Sequence, residues 1–191
     1  PLHAPAFHHS LAPVLLPVGL PVLVLGTGAN GANNHPRLLE QLLPFAGRLQ
    51  VIALCGKSQD AIQSVQEWSA AHPALGVETR GFLGPEAMAD LYRQAWALVG
   101  RPGARTATEA LTMGCLLIFN HYGLTMPQEL LAPRYFKQLG LEVSIRRPRQ
   151  LAQVVQRWLN EPETYQALRQ RYAASRLDGD PRVIVERLLH G

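Results

Sequence analysis

The chain has 191 residues, enough for one domain of ordinary or slightly large size that buries most of a substantial apolar core. Its composition, 47% hydrophobic and 17% charged, is typical of a soluble globular protein and excludes a long disordered tail. The 18 basic residues exceed the 14 acidic ones, and the basic residues are nearly all arginines. This excess is compatible with an anionic ligand or an anionic membrane surface.

The N-terminal apolar stretch, residues 11–25, is not expected to span a membrane. Pro13, Pro17 and Pro21 interrupt it, and it is shorter than the roughly 20 residues that a spanning helix needs. The two cysteines, Cys55 and Cys115, each lie in an apolar run that indicates a buried strand or its end. Because they offer no disulfide or zinc framework, we expect a reducing, cytoplasmic setting.

Short apolar runs alternate with helical patterns along most of the chain. Strands are predicted at 22–25, 51–55, 77–80, 97–99 and 116–120, and helices near 38–43, 61–68, 85–94, 105–113 and 127–139. Beyond 142–145 the pattern becomes helical, near 151–158, from 161 onward and at 183–189. Strands that alternate with helices pair in parallel, so the predicted fold is α/β, a doubly wound and mostly parallel sheet with helices on both faces.

A glycine turn follows the first predicted strand. Residues 26–31, Gly-Thr-Gly-Ala-Asn-Gly, satisfy the pattern G-x-G-x-x-G, in which small residues let backbone N–H groups approach a diphosphate. A dinucleotide site also expects an acidic residue near the end of the second strand, where this chain has Leu54, Cys55, Gly56 and Lys57. An NADP site with Lys57 facing a 2′-phosphate, or a turn with a purely structural role, therefore remains open.

A second cluster follows the strand predicted at 97–99. The sequence from Arg101 to Leu111 is Arg-Pro-Gly-Ala-Arg-Thr-Ala-Thr-Glu-Ala-Leu, a small-residue loop that leads into a helix. Such a loop brings backbone N–H groups and the positive end of a helix to a phosphate. Glu109 lies about one turn inside that helix, where a carboxylate either accepts hydrogen bonds from two ribose hydroxyls or compensates the helix dipole.

These features, in this order, resemble the C-terminal domain of glycosyltransferase family 28, whose members have the GT-B fold and include monogalactosyldiacylglycerol synthase and the peptidoglycan N-acetylglucosaminyl transferase. The resemblance covers residues 22–159. It rests on the glycine turn, the segment 54–57, Gly81-Phe82, the 101–109 loop, Gly114, and Asn120-His121-Tyr122 followed by Gln128-Glu129.

The resemblance implies a role for each matching residue. Glu109 would bind the ribose hydroxyls, Phe82 and Leu83 would present backbone groups to uracil, and Gln128 and Glu129 would bind hydroxyls of the donor sugar. The phosphates would lie against two loops whose residues are Gly28, Asn30, Gly31, Arg101, Gly103, Ala104, Arg105 and Thr106. No catalytic base is assigned, since the resemblance places it in an N-terminal acceptor domain.

Several residues depart from the family pattern. Pro102 replaces a small residue, Arg105 is larger than its usual counterpart, and Cys115-Leu116 follows Gly114 in place of the common pair. The asparagine that usually follows Gln-Glu is absent. These departures leave the identity of the donor sugar open.

The resemblance thus implies the UDP-sugar donor-binding domain of an inverting, metal-independent glycosyltransferase that needs no cofactor besides its donor. Residues 1–20 are interpreted as an interdomain linker or the start of the domain, 21–191 as the donor-binding domain, and 146–191 as its C-terminal helical segment. The expected partners are the UDP-sugar, an N-terminal acceptor domain of the same protein and, through Arg146, Arg147 and Arg149, a lipid surface. No nucleic-acid partner is expected, because aromatic residues are not interleaved with the basic ones. The alternatives are a fragment of an NADP-binding oxidoreductase and a non-catalytic nucleotide-binding or scaffolding module.

Overall fold

The computed structural model describes residues 19–26, 34–123 and 126–175. Within these ranges the chain forms six strands and seven α-helices. The strands are β1 (Val22–Gly26), β2 (Gln50–Leu54), β3 (Val77–Arg80), β4 (Ala97–Gly100), β5 (Leu116–Asn120) and β6 (Val143–Ile145). The helices are α1 (His35–Glu40), α2 (Gln59–Ala71), α3 (Pro85–Gln94), α4 (Ala104–Met113), α5 (Leu131–Gln138), α6 (Pro148–Asn160) and α7 (Pro162–Ala174).

The strands form one parallel sheet in the order β3-β2-β1-β4-β5-β6. Leu25 of β1 pairs with Ala53 of β2 on one side and with Val99 of β4 on the other. The chain therefore winds outward from β1 in one direction and from β4 in the other. This reversal leaves a crevice between β1 and β4 at the carboxyl ends of the strands, which is where ligands bind in open α/β sheets.

The central strands are apolar along their length because helices cover the sheet. Every residue of β4 and β5 is buried, whereas the edge strand β3 has no fully buried residue. Helix α1 contacts α2 and α6, and α4 contacts α3 and α5. Continuous burial of this kind is typical of parallel strands packed on both faces. The predicted doubly wound α/β fold is confirmed.

Two predicted helices are divided in the structure. The stripe near 38–43 divides into α1 and a 3-10 helix, Leu43–Phe45, and the pattern at 127–139 divides into a 3-10 helix, Pro127–Leu130, followed by α5. A continuous helix over 127–139 would place Pro133 in its interior, where the proline ring clashes with the carbonyl four residues earlier. Pro133 instead lies in the first turn of α5, where its missing N–H has no partner to lose.

Aromatic side chains attach the last two helices to the sheet. The ring of Trp96, just before β4, stacks on Tyr165 of α7 with centroids 5.1 Å apart, and it meets Trp158 of α6 edge-on at 5.4 Å. The Tyr165 hydroxyl donates to the Trp96 carbonyl at 2.9 Å, and the Tyr172 hydroxyl accepts from the Leu117 N–H at 3.1 Å. Helices α6 and α7 are thus packed on the same core as the sheet.

The remaining predictions about elements fall partly outside the described ranges. The helix predicted at 183–189 and all but two residues of the predicted 1–20 linker lie there. None of the helices within the described ranges is long and apolar enough to cross a bilayer. Cys55 and Cys115 are both buried and free, as the apolar runs around them indicate.

Candidate functional site

A cleft of about 410 Å³ opens at the carboxyl ends of β1 to β4, beside the crevice where the strand order reverses. Its wall combines glycines at strand ends with residues of α3 and the first turns of α4. The lining residues are Gly26, Leu54, Gly56, Gly81, Phe82, Leu83, Pro85, Met88, Tyr92, Leu98, Gly100, Arg101, Arg105, Thr106 and Glu109.

One side of the cleft is apolar. Pro85, Met88 and Tyr92 of α3 line it at spacings of three and four residues, which places them on one helix face. Gly81 lies close to the opposite wall, since a Cβ there would be 3.6 Å from the Gly56 carbonyl oxygen. At the rim the exposed ring of Phe82 lies 5.1 Å from Lys57 Nζ, a cation–π contact. This side suits a planar, weakly polar group.

A buried histidine joins two strand ends next to the apolar side of the cleft. His35, the first residue of α1, is completely buried, and its Nε2 lies 3.3 Å from the Leu25 carbonyl oxygen and 3.1 Å from that of Leu54. An Nε2–H donor thus joins the ends of β1 and β2, and Nδ1 has no partner among the described residues. Burial lowers the pKa of His35, although the two carbonyls partly oppose this effect.

The other side of the cleft carries charge, centred on Glu109. Glu109 is the one acidic residue that is buried within the described ranges, with 8% of its side chain exposed. The Tyr92 hydroxyl donates to its Oε2 at 3.2 Å, and Arg105 Nε donates to its Oε1 at 2.8 Å. Both carboxylate oxygens therefore have a donor, which is what a buried carboxylate needs.

The two donors to Glu109 differ in their surroundings. Tyr92 is buried, and burial together with the negative charge of Glu109 raises the pKa of its hydroxyl far above the ordinary value, so the hydroxyl stays protonated and donates. The hydrogen bond to Glu109 and its charge raise the pKa of the Arg105 guanidinium. The Arg105 side chain is nevertheless 74% exposed.

A second ion pair lies next to the cleft. Arg101 Nη2 donates to Glu129 Oε2 at 2.6 Å, and the Met126 N–H donates to the same oxygen at 2.8 Å. The side chains of Arg101 and Glu129 are 23% and 19% exposed. Arg101 is therefore tied to the segment after β5, and Glu129 already has partners within the protein.

The structure brings together most of the predicted site residues. Phe82, Leu83, Arg101, Arg105, Thr106 and Glu109 all line the cleft. Gly103 is the N-cap of α4 and Ala104 is its first residue; both are described, but neither is among the lining residues. Gly28, Asn30 and Gly31 lie outside the described residues, as does the side chain of Gln128.

No site role was predicted for Tyr92, Pro85 or Met88. All three lie in the helix predicted at 85–94. A tyrosine in an otherwise apolar stripe is the signal that was available, because a buried hydroxyl requires a partner. Within the described ranges, no cluster of three or more His, Cys, Asp or Glu residues is arranged to hold a metal ion.

Comparison with known proteins gives both sequence and structural relatives. No model of a known protein family matches the chain. The chain is 25% identical over 165 residues to the processive diacylglycerol beta-glucosyltransferase of Bacillus pumilus, which covers 86% of this chain and 42% of that protein. The crystal structure of MurG from Acinetobacter baumannii matches with a TM-score of 0.67 at 21% identity, over 93% of this chain and 51% of that one.

The resemblance to GT-B glycosyltransferases is confirmed. The cleft is lined by residues of the segments 54–57, Gly81-Phe82 and 101–109, on which the resemblance rests. The structure of UDP-GlcNAc 2-epimerase from Neisseria meningitidis bound to UDP-GlcNAc also shares the fold, with a TM-score of 0.68 at 12% identity over 92% of this chain and 46% of that one. The oxidoreductase interpretation gains no support from these comparisons. The chain spans less than half the length of the curated relatives that it matches.

Proposed function

We propose that the chain is the UDP-sugar donor-binding domain of an inverting glycosyltransferase. The observation that carries the proposal is a buried carboxylate, Glu109, one turn inside a helix whose N-terminal residues line the same cleft. A carboxylate in that position accepts hydrogen bonds from ribose hydroxyls, while the start of the helix attracts phosphate.

Each side of the cleft binds a different part of the donor. Uracil lies on the apolar side, between α3 and the Gly81 strand end, with backbone groups of Phe82 and Leu83 as its polar partners. The ribose hydroxyls donate to Glu109. The diphosphate lies at the first turn of α4, near Thr106 and Arg105, where helical N–H groups have no partner within the helix.

The donor sugar lies beyond the diphosphate, beside the Arg101–Glu129 ion pair. Oε2 of Glu129 already accepts from Arg101 and from the Met126 N–H, so Oε1 binds sugar hydroxyls while Arg101 holds the orientation of the carboxylate. Gln128 is the second residue proposed to contact the sugar. Such polar contacts discriminate strongly between sugars, because a hydroxyl with the wrong orientation leaves a buried partner unpaired.

The chain contributes to the reaction by stabilising the leaving group. As the bond between the anomeric carbon and the diphosphate breaks, negative charge accumulates on UDP. Oriented N–H dipoles at the start of α4 and the guanidinium groups of Arg101 and Arg105 stabilise that charge, and they need no metal ion to do so. The acceptor attacks from the opposite face of the sugar, which inverts the anomeric carbon.

The acceptor and the general base belong to a second domain of the full-length protein. In this arrangement residues 21–191 form the donor domain, with 146–191 as its C-terminal helical segment, and residues 1–20 connect the two domains. The relative from Bacillus pumilus is named for a diacylglycerol acceptor. A lipid acceptor is accordingly proposed here.

A lipid acceptor requires contact with a membrane, and one surface is suited to it. Leu131, Arg134 and Tyr135 are exposed on the outward face of α5, next to exposed Met126 and Leu130. The exposed arginines Arg146, Arg147 and Arg149 follow β6. The His121 N–H, just after β5, donates to the Ile145 carbonyl at 2.8 Å, so the arginines that begin at Arg146 lie near the end of β5. Apolar side chains beside several cations favour an anionic lipid surface.

Sedimentation with lipid vesicles tests this contact. We expect the chain to bind vesicles that contain phosphatidylglycerol and not vesicles of phosphatidylcholine alone. The double variant Leu131→Ser, Tyr135→Ser should bind several-fold less than the control Leu20→Ser, which removes another exposed leucine. Equal binding of the two variants would rule out the α5 surface.

Calorimetric titration tests the proposed function itself. The chain should bind UDP, and bind it more tightly than ADP, with no measurable binding of NADP. Binding of NADP without binding of UDP would restore the oxidoreductase interpretation. Failure to bind any of the three nucleotides would favour a non-catalytic scaffolding module.

A further inference from the structure

Arg105 forms an ion pair with Glu109, the carboxylate that is proposed to bind the ribose of the donor. Arg105 Nε donates to Glu109 Oε1 at 2.8 Å, and both side chains line the cleft. With Arg105 and its other neighbours in place, the Glu109 side chain is 8% exposed. A ribose that reaches Glu109 therefore approaches the side on which the guanidinium now lies.

The two donors to Glu109 are not equally replaceable. Tyr92 is buried, and its hydroxyl is bonded to Oε2. Moving Tyr92 would break a hydrogen bond between two buried groups, which is costly. Arg105 is 74% exposed, so its guanidinium regains water as soon as it leaves the carboxylate. Only the Arg105 partner of this pair is exposed, so the guanidinium loses little when the pair opens, provided that a ribose hydroxyl replaces it at the buried carboxylate.

Helix stability does not explain an arginine at this position. Arg105 is the second residue of α4, and no acidic residue occupies that first turn. A cation at the N-terminus of a helix opposes the helix dipole. An anion placed at the same turn would reverse this effect, because both the dipole and the guanidinium would then attract it.

We propose that Arg105 is an exchangeable partner of Glu109 that makes the cleft select nucleoside diphosphates over nucleosides. This inference rests on the proposed function. In the free chain Arg105 donates to Glu109 Oε1. When the donor binds, a ribose hydroxyl donates to Oε1 in its place, Tyr92 keeps Oε2, and Arg105 turns to the diphosphate.

Because of this exchange, Arg105 affects the affinity for a nucleoside and for a nucleoside diphosphate in opposite directions. A nucleoside without phosphate must displace Arg105 from Glu109 and offers the guanidinium no new partner. A nucleoside diphosphate displaces it and supplies a charged acceptor within reach. Arg105 therefore weakens the binding of uridine and strengthens the binding of UDP, whereas a residue that only supports Glu109 would change both affinities in the same direction.

Titrations of uridine and UDP into matched variants test the exchange. In Arg105→Ala we expect the affinity for UDP to fall about tenfold, the loss of one charged hydrogen bond, and the affinity for uridine to rise about twofold, the gain from removing an exposed competitor. In Arg105→Lys, which keeps the charge without the planar N–H group, the affinity for UDP should lie between those of the wild type and Arg105→Ala.

The control is Arg157→Ala, which removes an arginine from another i,i+4 pair with glutamate, between Arg157 and Glu161 of the α6 end. It should bind both ligands as the wild type does. Loss of uridine and UDP affinity by the same factor in Arg105→Ala would overturn the exchange and leave the proposed function intact. A wild-type chain that binds neither ligand would refute the proposed function, and this inference with it.

Discussion

The two sides of the cleft are built by different means. The apolar side consists of strand-end glycines and one face of α3, so its shape comes from backbone approach and packing. The charged side consists of ion pairs: Arg105 with Glu109 in the wall, and Arg101 with Glu129 beside it. Shape selects a ligand by size, whereas a buried charge selects it by the hydrogen bonds that it must replace. Substitutions on the two sides should therefore have effects of different size.

The largest effect is expected at Glu109. Glu109→Ala removes the proposed acceptor of the ribose hydroxyls and one partner of the buried Tyr92 hydroxyl. We expect UDP binding to weaken by about 1–3 kcal/mol, the range for losing a charged hydrogen-bond partner, measured by calorimetry. Glu161→Ala, which removes an exposed carboxylate from a similar pair, serves as the control. Unchanged UDP affinity in Glu109→Ala would show that Glu109 only supports the fold.

A smaller and more selective effect is expected at Glu129. Glu129→Gln breaks the ion pair with Arg101 while it keeps the size of the side chain. Of UDP-glucose and UDP-galactose, the one that is the natural donor should bind with an affinity changed by about 1 kcal/mol. The affinity for UDP alone should not change. The matched control is Glu142→Gln, an exposed carboxylate near β6. Equal loss for UDP and both UDP-sugars would place Glu129 at the phosphates instead of the sugar.

The buried His35 should make the free energy of unfolding depend on pH. Because burial lowers the pKa of His35 below its ordinary 6.5, the unfolded chain takes up this proton at a higher pH than the folded chain does. The contribution is therefore fully present above pH 6.5 and is lost as the pH falls toward the lowered pKa, by up to about 1.4 kcal/mol per pH unit.

Urea unfolding at pH values from about 5 to about 8, a range that brackets the ordinary histidine pKa, measures this dependence. His35→Gln keeps a donor on the side chain but cannot titrate, so its free energy of unfolding should change less over the range. His72→Gln, a substitution outside the strand ends, should retain the dependence of the wild type. Parallel curves for the wild type and His35→Gln would exclude His35 as the source.

The smallest effect is expected at Phe82. Its side chain is exposed at the rim, and the proposed contacts to uracil come from its backbone. Phe82→Ala should therefore change UDP affinity by less than about 0.5 kcal/mol, as expected for an exposed side chain. Lys57→Ala removes the other partner of the cation–π contact and should have the same small effect. A tenfold loss in Phe82→Ala alone would mean that its ring covers the base.

The order of strands and helices was predictable because the central strands are short, continuous apolar runs and the helices between them carry apolar stripes. Those patterns depend on local spacing, and a parallel sheet follows from the alternation. Pro133 carried the signal for the division of the helix predicted at 127–139, but the apolar stripe that runs across it masked that signal. Boundaries were therefore less certain than the elements themselves.

The 101–109 loop was predictable for the same local reason, since its small residues and its helix start are contiguous in the sequence. The distant partners of Glu109 and Glu129 were not predictable in this way. Tyr92 is 17 residues from Glu109, and Arg101 is 28 residues from Glu129. Sequence alone determined the sheet, the loop at its carboxyl edge and the likeness to GT-B enzymes. Only the tertiary structure decided that Tyr92 holds Glu109 and that Arg101 holds Glu129, because those two contacts join separate segments that meet only when the sheet has formed.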